Sequence, residues 1–230
     1  MTHVYLMVEG QTEENFVNDL LAPHFGGLGV YLFPRLLGRP GHQGGRVNYA
    51  RVKNDVSIFL KQQRGAYCTT LIDLYRLGEG FPGSAQTTTV IPGRARPDRA
   101  RQIEQAMKAD IIATLGDDWR ADMRFIPYIQ QHEFEGLLFS DPEALAQGIS
   151  RPQLAKQFRD IREEFNTPED INDSPQTAPS KRILQIHPAY QKPIDGVQAA
   201  KAIGLGTIRA ECPRFHAWLT QIENLGQGNI

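Results

Sequence analysis

Three separated segments place carboxylates at the ends of apolar runs. Glu9 closes "HVYLMVE" and is followed by Gly10, with Glu13 and Glu14 just beyond in "VEGQTEENF". Asp73 interrupts the apolar run "LIDLYRL", between Ile72 and Leu74. Glu133 and Glu135 stand two apart in "QHEFEGLLF". Carboxylates drawn from several segments suit Mg²⁺ or Mn²⁺, hard cations that take a few oxygen ligands and keep several waters. Two such ions about 4 Å apart stabilise an in-line phosphoryl transfer. Each residue also has a plainer role open to it. Glu9 can be a turn residue, and Asp73 can cap a helix or pair with Arg76. Glu133 and Glu135 can form a solvated strand face, on which both point one way and His132 the other.

Cations are the second ingredient of phosphate chemistry. Lys181 and Arg182 follow "APS", Lys192 precedes Pro193, and Lys201 sits in "AAKAIGL". An ammonium near a metal site stabilises charge on a pentavalent phosphate, and Lys181 leads as that catalytic cation, with Lys201 behind it. Arg94, Arg96, Arg99 and Arg101 cluster ahead of an apolar helical pattern. With Lys201 they are the nucleic-acid-binding candidates, by charge on phosphates, or else a solvated basic face. The loop "GRPGHQGGR" carries Arg39, His42 and Arg46 but lacks the Lys-Ser/Thr of a phosphate-binding loop. It reads as a substrate or partner loop.

The elements that must position these groups read as alternating strands and helices. Strands are expected at 3–8, 29–37, 66–74 and 124–130, from short runs rich in β-branched and aromatic residues. Thr12 is expected to cap a helix carrying Phe16, Val17, Leu20 and Leu21, ended by "PHFGG". Further helices are expected at 48–63 and 94–115, with a loop over 75–93. The alternation predicts an α/β fold with a parallel sheet. In such a sheet all strands end on one edge, where ligands bind, so the three carboxylate segments share a rim. Beyond it, Asp141 and Pro142 start a short helix, and another helix is expected at 151–165. A polar connector, "NTPEDINDSPQTAPSKR", and short helical pieces follow. The division expected is an α/β core over 1–140 and a helical C-terminal extension over 141–230 packed on it.

Composition bounds the rest. The chain has 230 residues with 40% apolar and 22% charged, enough for a sizeable core without disulfides. Net charge is -1, so nucleic-acid binding must come from a local patch. Cys68 and Cys212 form no zinc pattern. The first residues lack a signal-peptide pattern and no apolar run is long enough to span a bilayer, so a cytoplasmic protein off the membrane is expected.

The segments "VEGQTEENF", "LIDLYRL…FPG", "FIPYIQQHEFEGLLFSDP", and "APSKRI" through "KAIGLGTIRAECPRFHAWL" resemble the DUF4276 family of bacterial proteins. That family looks like a branch of the Toprim superfamily, related to the nuclease domains of the OLD (overcoming lysogenisation defect) type. The resemblance spans nearly the whole chain. It implies a Toprim-like (Rossmann-like) mainly parallel four-stranded sheet flanked by helices, and a Mg²⁺-dependent nuclease acting on phosphodiester bonds. The Toprim pattern sets a Glu after strand one and an Asp-x-Asp after strand three, which Glu9 and Asp73 match. Tyr75 stands where the second Asp would be, and a neutral phenol cannot be that anionic ligand. The resemblance therefore implies a site rebuilt with Glu133 or Glu135, or a weak or dead one. Glu13 fits the E-G-x-[ST]-E arrangement of the OLD-like branch. A separate ABC-type ATPase partner in anti-phage defence is also implied; with no Walker motif here, ATP hydrolysis would be the partner's. Two other readings stand beside the nuclease: a non-catalytic docking module with a remnant acidic pocket, and a phosphotransfer or nucleotidyl enzyme using the same rim.

Overall fold

In the computed structural model, described over residues 1–37, 47–84, 98–172, 174 and 176–227, the strands are β1 (Thr2–Val8), β2 (Val30–Leu36), β3 (Tyr67–Asp73), β4 (Phe125–Ile126) and β5 (Ile129–Gln130). Their order is β2-β1-β3-β4, with β5 also beside β3. Every pairing among these strands is parallel. Parallel neighbours need a crossover that returns the chain to the same edge, so the strand ends share one rim as expected. The order also sets a switch point: β1 connects outward to β2, and β3 outward the other way to β4. Glu9 follows β1 and Asp73 ends β3, so both stand at the crevice where ligands bind in open α/β sheets.

The helices are α1 (Gln11–Phe16), α2 (Ala22–Gly26), α3 (Tyr49–Gln62), α4 (Arg99–Leu115), α5 (Ala121–Arg124), α6 (Pro142–Gly148), α7 (Ala155–Arg162), α8 (Pro179–Ile186), α9 (Val197–Ile203), α10 (Leu205–Glu211) and α11 (Pro213–Gly226). A π-type stretch, Val17–Leu21, joins α1 to α2. Pro23 at the start of α2 has no N–H to return to the preceding turn, which favours the wider turn there.

Strand alternation sorts the core onto two faces. Val4, Leu6 and Val8 of β1 and Leu71 of β3 pack with Phe16, Val17 and Phe25, and with Phe215, Trp218 and Leu219 of α11. Met7 of β1 and Cys68 and Ile72 of β3 pack instead against α3 and α4, through Val52, Val56, Ile103 and Met107. Residues from both sides of position 140 thus enter the first cluster. At its α6–α9 contact, a Cβ on Gly148 would lie 2.5 Å from the Ala199 Cα. Gly148→Ala is therefore expected to destabilise the fold by about 1–3 kcal/mol in urea unfolding, the usual range for overpacking. An unchanged midpoint would mean that the two helices do not approach this closely.

Four sequence expectations are corrected. The fourth strand is two short pieces, because Pro127 cannot donate to a ladder. The Thr70 hydroxyl stands in at the break, accepting from the Tyr128 N–H at 2.9 Å and donating to the Tyr128 carbonyl at 2.8 Å. Thr12 is a buried helical residue; the cap position is Gly10, which makes no side-chain cap bond. The helix expected from 94 starts at Arg99, since Asp98 is extended and its carboxylate accepts from the Arg101 N–H at 2.9 Å. The helix expected over 151–165 is a 3-10 turn, Pro152–Leu154, followed by α7.

Candidate metal centre

Asp73 is the last residue of β3, on the same face as Leu71, and is 1% exposed. Both of its oxygens are engaged. Oδ1 accepts from the Phe134 N–H at 2.8 Å, and Oδ2 accepts from Lys192 Nζ at 3.1 Å. Glu9 reaches the same point from β1, with Oε2 accepting from the Asp73 N–H at 3.4 Å and Oε1 3.7 Å from Arg76 Nε. Glu13 folds back from the first turn of α1. Its Oε2 would lie 3.3 Å from a Cβ on residue 10, so Gly10 leaves room for the carboxylate to enter. Glu9, Glu13 and Asp73 each offer an oxygen, all within 4.8 Å of one another.

Glu135 approaches from the other side of the sequence. After β5, His132 takes a left-handed backbone with φ 61°, an uncommon conformation for a residue with a Cβ. The chain then enters a 3-10 helix, Phe134–Ser140, closed at its start by the Gly136 N–H donating to the Glu133 carbonyl at 3.0 Å. Glu135 lies inside that helix and is wholly buried. A network behind β5 holds this approach. Glu104 accepts from the Ile129 N–H at 2.8 Å and pairs with Arg214 at 2.7 Å. Glu169 accepts from the Arg214 and Phe215 N–H groups at the start of α11.

One ammonium ties the carboxylates together. Lys192 Nζ lies 3.1 Å from Asp73 Oδ2, 3.2 Å from Glu135 Oε2 and 3.4 Å from Glu13 Oε1. Even so, Glu9, Glu13, Asp73 and Glu135 outnumber Lys192 and the exposed Arg76. Burial pushes the Glu9 carboxyl up to about 10, and the charges of Asp73 and Glu13 add to it against Lys192 and Arg76. Burial likewise raises Asp73 to about 7, with Lys192 opposing and Glu13, Glu135 and Glu133 reinforcing. Glu135 is raised by burial too, again opposed by Lys192. For Lys192, burial works downward, but Asp73, Glu135, Glu13 and Glu9 together hold its pKa well above the usual ammonium range.

The donor set fits a divalent ion. Glu13 Oε1 is buried without a formed hydrogen bond and has Lys192 Nζ as its neighbouring cation, at 3.4 Å. Buried carboxylate oxygens in surplus over the local cations are what a hard cation coordinates, and burying that excess charge uncompensated is costly.

The DUF4276 family model, a domain of unknown function, matches residues 8–223. The chain belongs to the DUF4276 family. No curated protein and no solved structure matches it.

In this DUF4276 chain the other expected site residues fall as follows. The extended reading of 133–135 is corrected by the 3-10 helix, so Glu133 and Glu135 part. Glu133 Oε2 accepts from the Ser180 N–H at 2.9 Å, at the start of α8. Tyr75 is turned toward the His132 ring, with centroids 5.7 Å apart, and its N–H donates to the His132 carbonyl at 3.1 Å. The third carboxylate of the cluster with Glu9 and Asp73 is that of Glu13. Asp73 makes no side-chain cap bond to the turn that follows it, its Oδ1 instead taking the first N–H of the 3-10 helix Phe134–Ser140, and Arg76 pairs with Glu9. Lys181 is exposed on α8, lining a surface pocket with Gln176, Leu184 and Gln185. The ammonium at the carboxylates belongs to Lys192, whose only sequence cue is its place before Pro193. Lys201 is exposed on α9 and pairs with Asp19 at 3.2 Å. Arg99 is exposed at the start of α4, while Arg94, Arg96 and the loop residues Arg39, His42 and Arg46 lie outside the described residues. Among the described residues no helix is long and apolar enough to cross a membrane.

Proposed function

We propose that this protein is a Mg²⁺- or Mn²⁺-dependent hydrolase of phosphodiester bonds, a nuclease with a Toprim-like centre related to the OLD type. The observation that carries the reading is the meeting of Glu9, Glu13 and Asp73 oxygens within 4.8 Å at the switch point of the sheet. These three would hold the ion. A bound divalent ion supplies Lewis acidity and a water of lowered pKa. Lys192 sets a fixed positive charge beside that position, where the negative charge of a phosphate would develop. His132 is a neutral donor or acceptor in this setting, since burial lowers its pKa to about 4 against the pull of Asp170 and Glu133. The exposed Arg99 and Lys201, with Arg94 and Arg96, are the proposed contacts to nucleic-acid phosphates. The cellular setting we infer is cytoplasmic, beside a separate ABC-type ATPase in anti-phage defence.

The test is direct. Wild type binds Mn²⁺ and cleaves single- or double-stranded DNA or RNA in its presence. Asp73→Ala and Glu9→Ala each lose about 100-fold or more in Mn²⁺ affinity, at least the effect of removing an outer-shell partner of a metal ligand, and lose cleavage. Unchanged cleavage in both variants sinks the reading. A docking module is the second reading. Lys192, already seated among the carboxylates, favours it, and Mn²⁺ binding without cleavage of any of these substrates would support it.

A further inference from the structure

The centre is divided between two kinds of cation. Glu9, Glu13 and Asp73 form a set close enough to share one ion. Glu135 stands outside that set and meets it through Lys192, whose Nζ is 3.2 Å from Glu135 Oε2 and 3.1 Å from Asp73 Oδ2. Asp73, and Glu13 through its Oε1 at 3.4 Å from the same Nζ, are thus common to both halves, the role bridging ligands play between two divalent ions about 4 Å apart. The second place is held by an ammonium.

Lys192 is delivered there by its backbone. It begins a π-type turn, Lys192–Gly196, that Asp195 pins: the Gln191 N–H donates to Asp195 Oδ2 at 2.7 Å, and the Asp195 N–H to the Gln191 carbonyl at 2.8 Å. Its Nζ also lies 5.9 Å from the centroid of the buried Phe134 ring, within reach of a cation–π attraction. The lysine side chain is only 23% exposed. A surface lysine straying onto an acidic patch would have neither the pinned turn nor the buried aromatic wall. Part of the cationic charge at the centre is therefore covalently tethered, and a free ion cannot enter that place without displacing it.

We propose that the centre binds a single divalent ion, on Glu9, Glu13 and Asp73, and that Lys192 permanently occupies the position of a second. This rests on the metal-dependent reading above and adds the metal number and the residue that fixes it. Glu135 then serves as a counter-ion that positions Lys192.

The experiment is Mn²⁺ titration of the full chain after EDTA stripping, with free Mn²⁺ read from its electron paramagnetic resonance signal and folding checked by circular dichroism. Wild type is expected to bind one Mn²⁺ per chain. Lys192→Met, of similar length and uncharged, is expected to bind two. Glu135→Gln keeps one ion with nearly unchanged affinity, whereas Glu13→Gln weakens binding by about 10-fold or more. Two ions in wild type, or a single ion in folded Lys192→Met, overturn the inference and leave the hydrolase reading standing. Should Lys192→Met fail to fold, the wild-type stoichiometry and the contrast between Glu135→Gln and Glu13→Gln decide it. No ion in either wild type or Lys192→Met overturns both. One ion in wild type and two in Lys192→Met, without any cleavage, supports the inference and overturns the hydrolase reading alone.

Discussion

Lys192→Met is expected to destabilise the metal-free protein by about 3–5 kcal/mol near pH 8, the usual result of removing one partner of a buried ion pair. The size follows from what is left behind. Asp73 is 1% exposed and Glu135 wholly buried, and both face Lys192 Nζ at 3.1–3.2 Å. Removing the ammonium leaves these carboxylates beside Glu13 and Glu9 with no ion-pair partner of their own, since the exposed Arg76 pairs with Glu9 and Asp73 keeps only the Phe134 N–H. The methionine keeps the packing along Phe134, so the loss reports charge and not a cavity. The contrasting case is replacement of a whole buried pair by apolar residues, which is often neutral; here the acids remain. Two further changes identify the cause. At pH 5 the loss shrinks, because carboxyls whose pKa is already raised take up protons and no longer need the cation. Millimolar Mn²⁺ recovers part of the stability, by about 2.7 kcal/mol when the ion stands at 100 times its dissociation constant. Urea unfolding with and without Mn²⁺ measures all three, and an unchanged midpoint in EDTA at pH 8 would mean that Lys192 contributes no net stability.

The wild-type protein in EDTA is expected to lose stability as pH rises from about 5 to 8. Asp73 ionises near 3.8 when unfolded and near 7 when folded. Below the unfolded value both states hold the proton and the contribution is fully present. Between the two values only the folded state keeps it, and each pH unit costs about 1.4 kcal/mol. Above about 7 the contribution of Asp73 is gone. Glu9 runs the same way from 4.5 up to about 10, so it alone of the two carries the slope between pH 7 and 8. Glu135, raised by burial, adds in the same direction. Groups with lowered pKa act oppositely, Asp110 and Glu223 at the acid end and His132 from 6.5 down to about 4, where it offsets part of the slope below pH 6.5. Asp110 and Glu223 lose their contribution as pH falls through their folded values, and His132 loses its own as pH falls through about 4. The raised thiols of Cys68 and Cys212 matter only above the window, where they ionise in the unfolded chain. Glu9→Gln is therefore expected to flatten the slope between pH 7 and 8. Saturating Mn²⁺ is expected to reverse it, because the ion binds the deprotonated carboxylates. A wild-type stability that rises from pH 6 to 8 in EDTA would show that these carboxyls are ionised in the metal-free fold.

Local pattern and global arrangement divide cleanly along this chain. The runs "HVYLMV" and "YCTTLID" are short, apolar and bounded by polar residues, so their strands, their parallel pairing and their shared rim are legible from the sequence. With the rim comes the place of Glu9 and Asp73, and one helical turn on, that of Glu13. Local chemistry also misleads: Thr12 is a good cap residue, but tertiary packing buries it inside α1. Pro127 carries the signal for the broken fourth strand, while the Thr70 hydroxyl that repairs the break comes from a strand 58 residues away. Only the tertiary structure decided that Glu135 is buried in a 3-10 helix, that Tyr75 turns away to His132, and that the ammonium is Lys192 and not Lys181. The physical reason is range. Helix and strand patterns arise from neighbours a few residues apart, whereas Lys192 meets Asp73 across 119 residues, and no local periodicity records which distant lysine can offset a buried carboxylate.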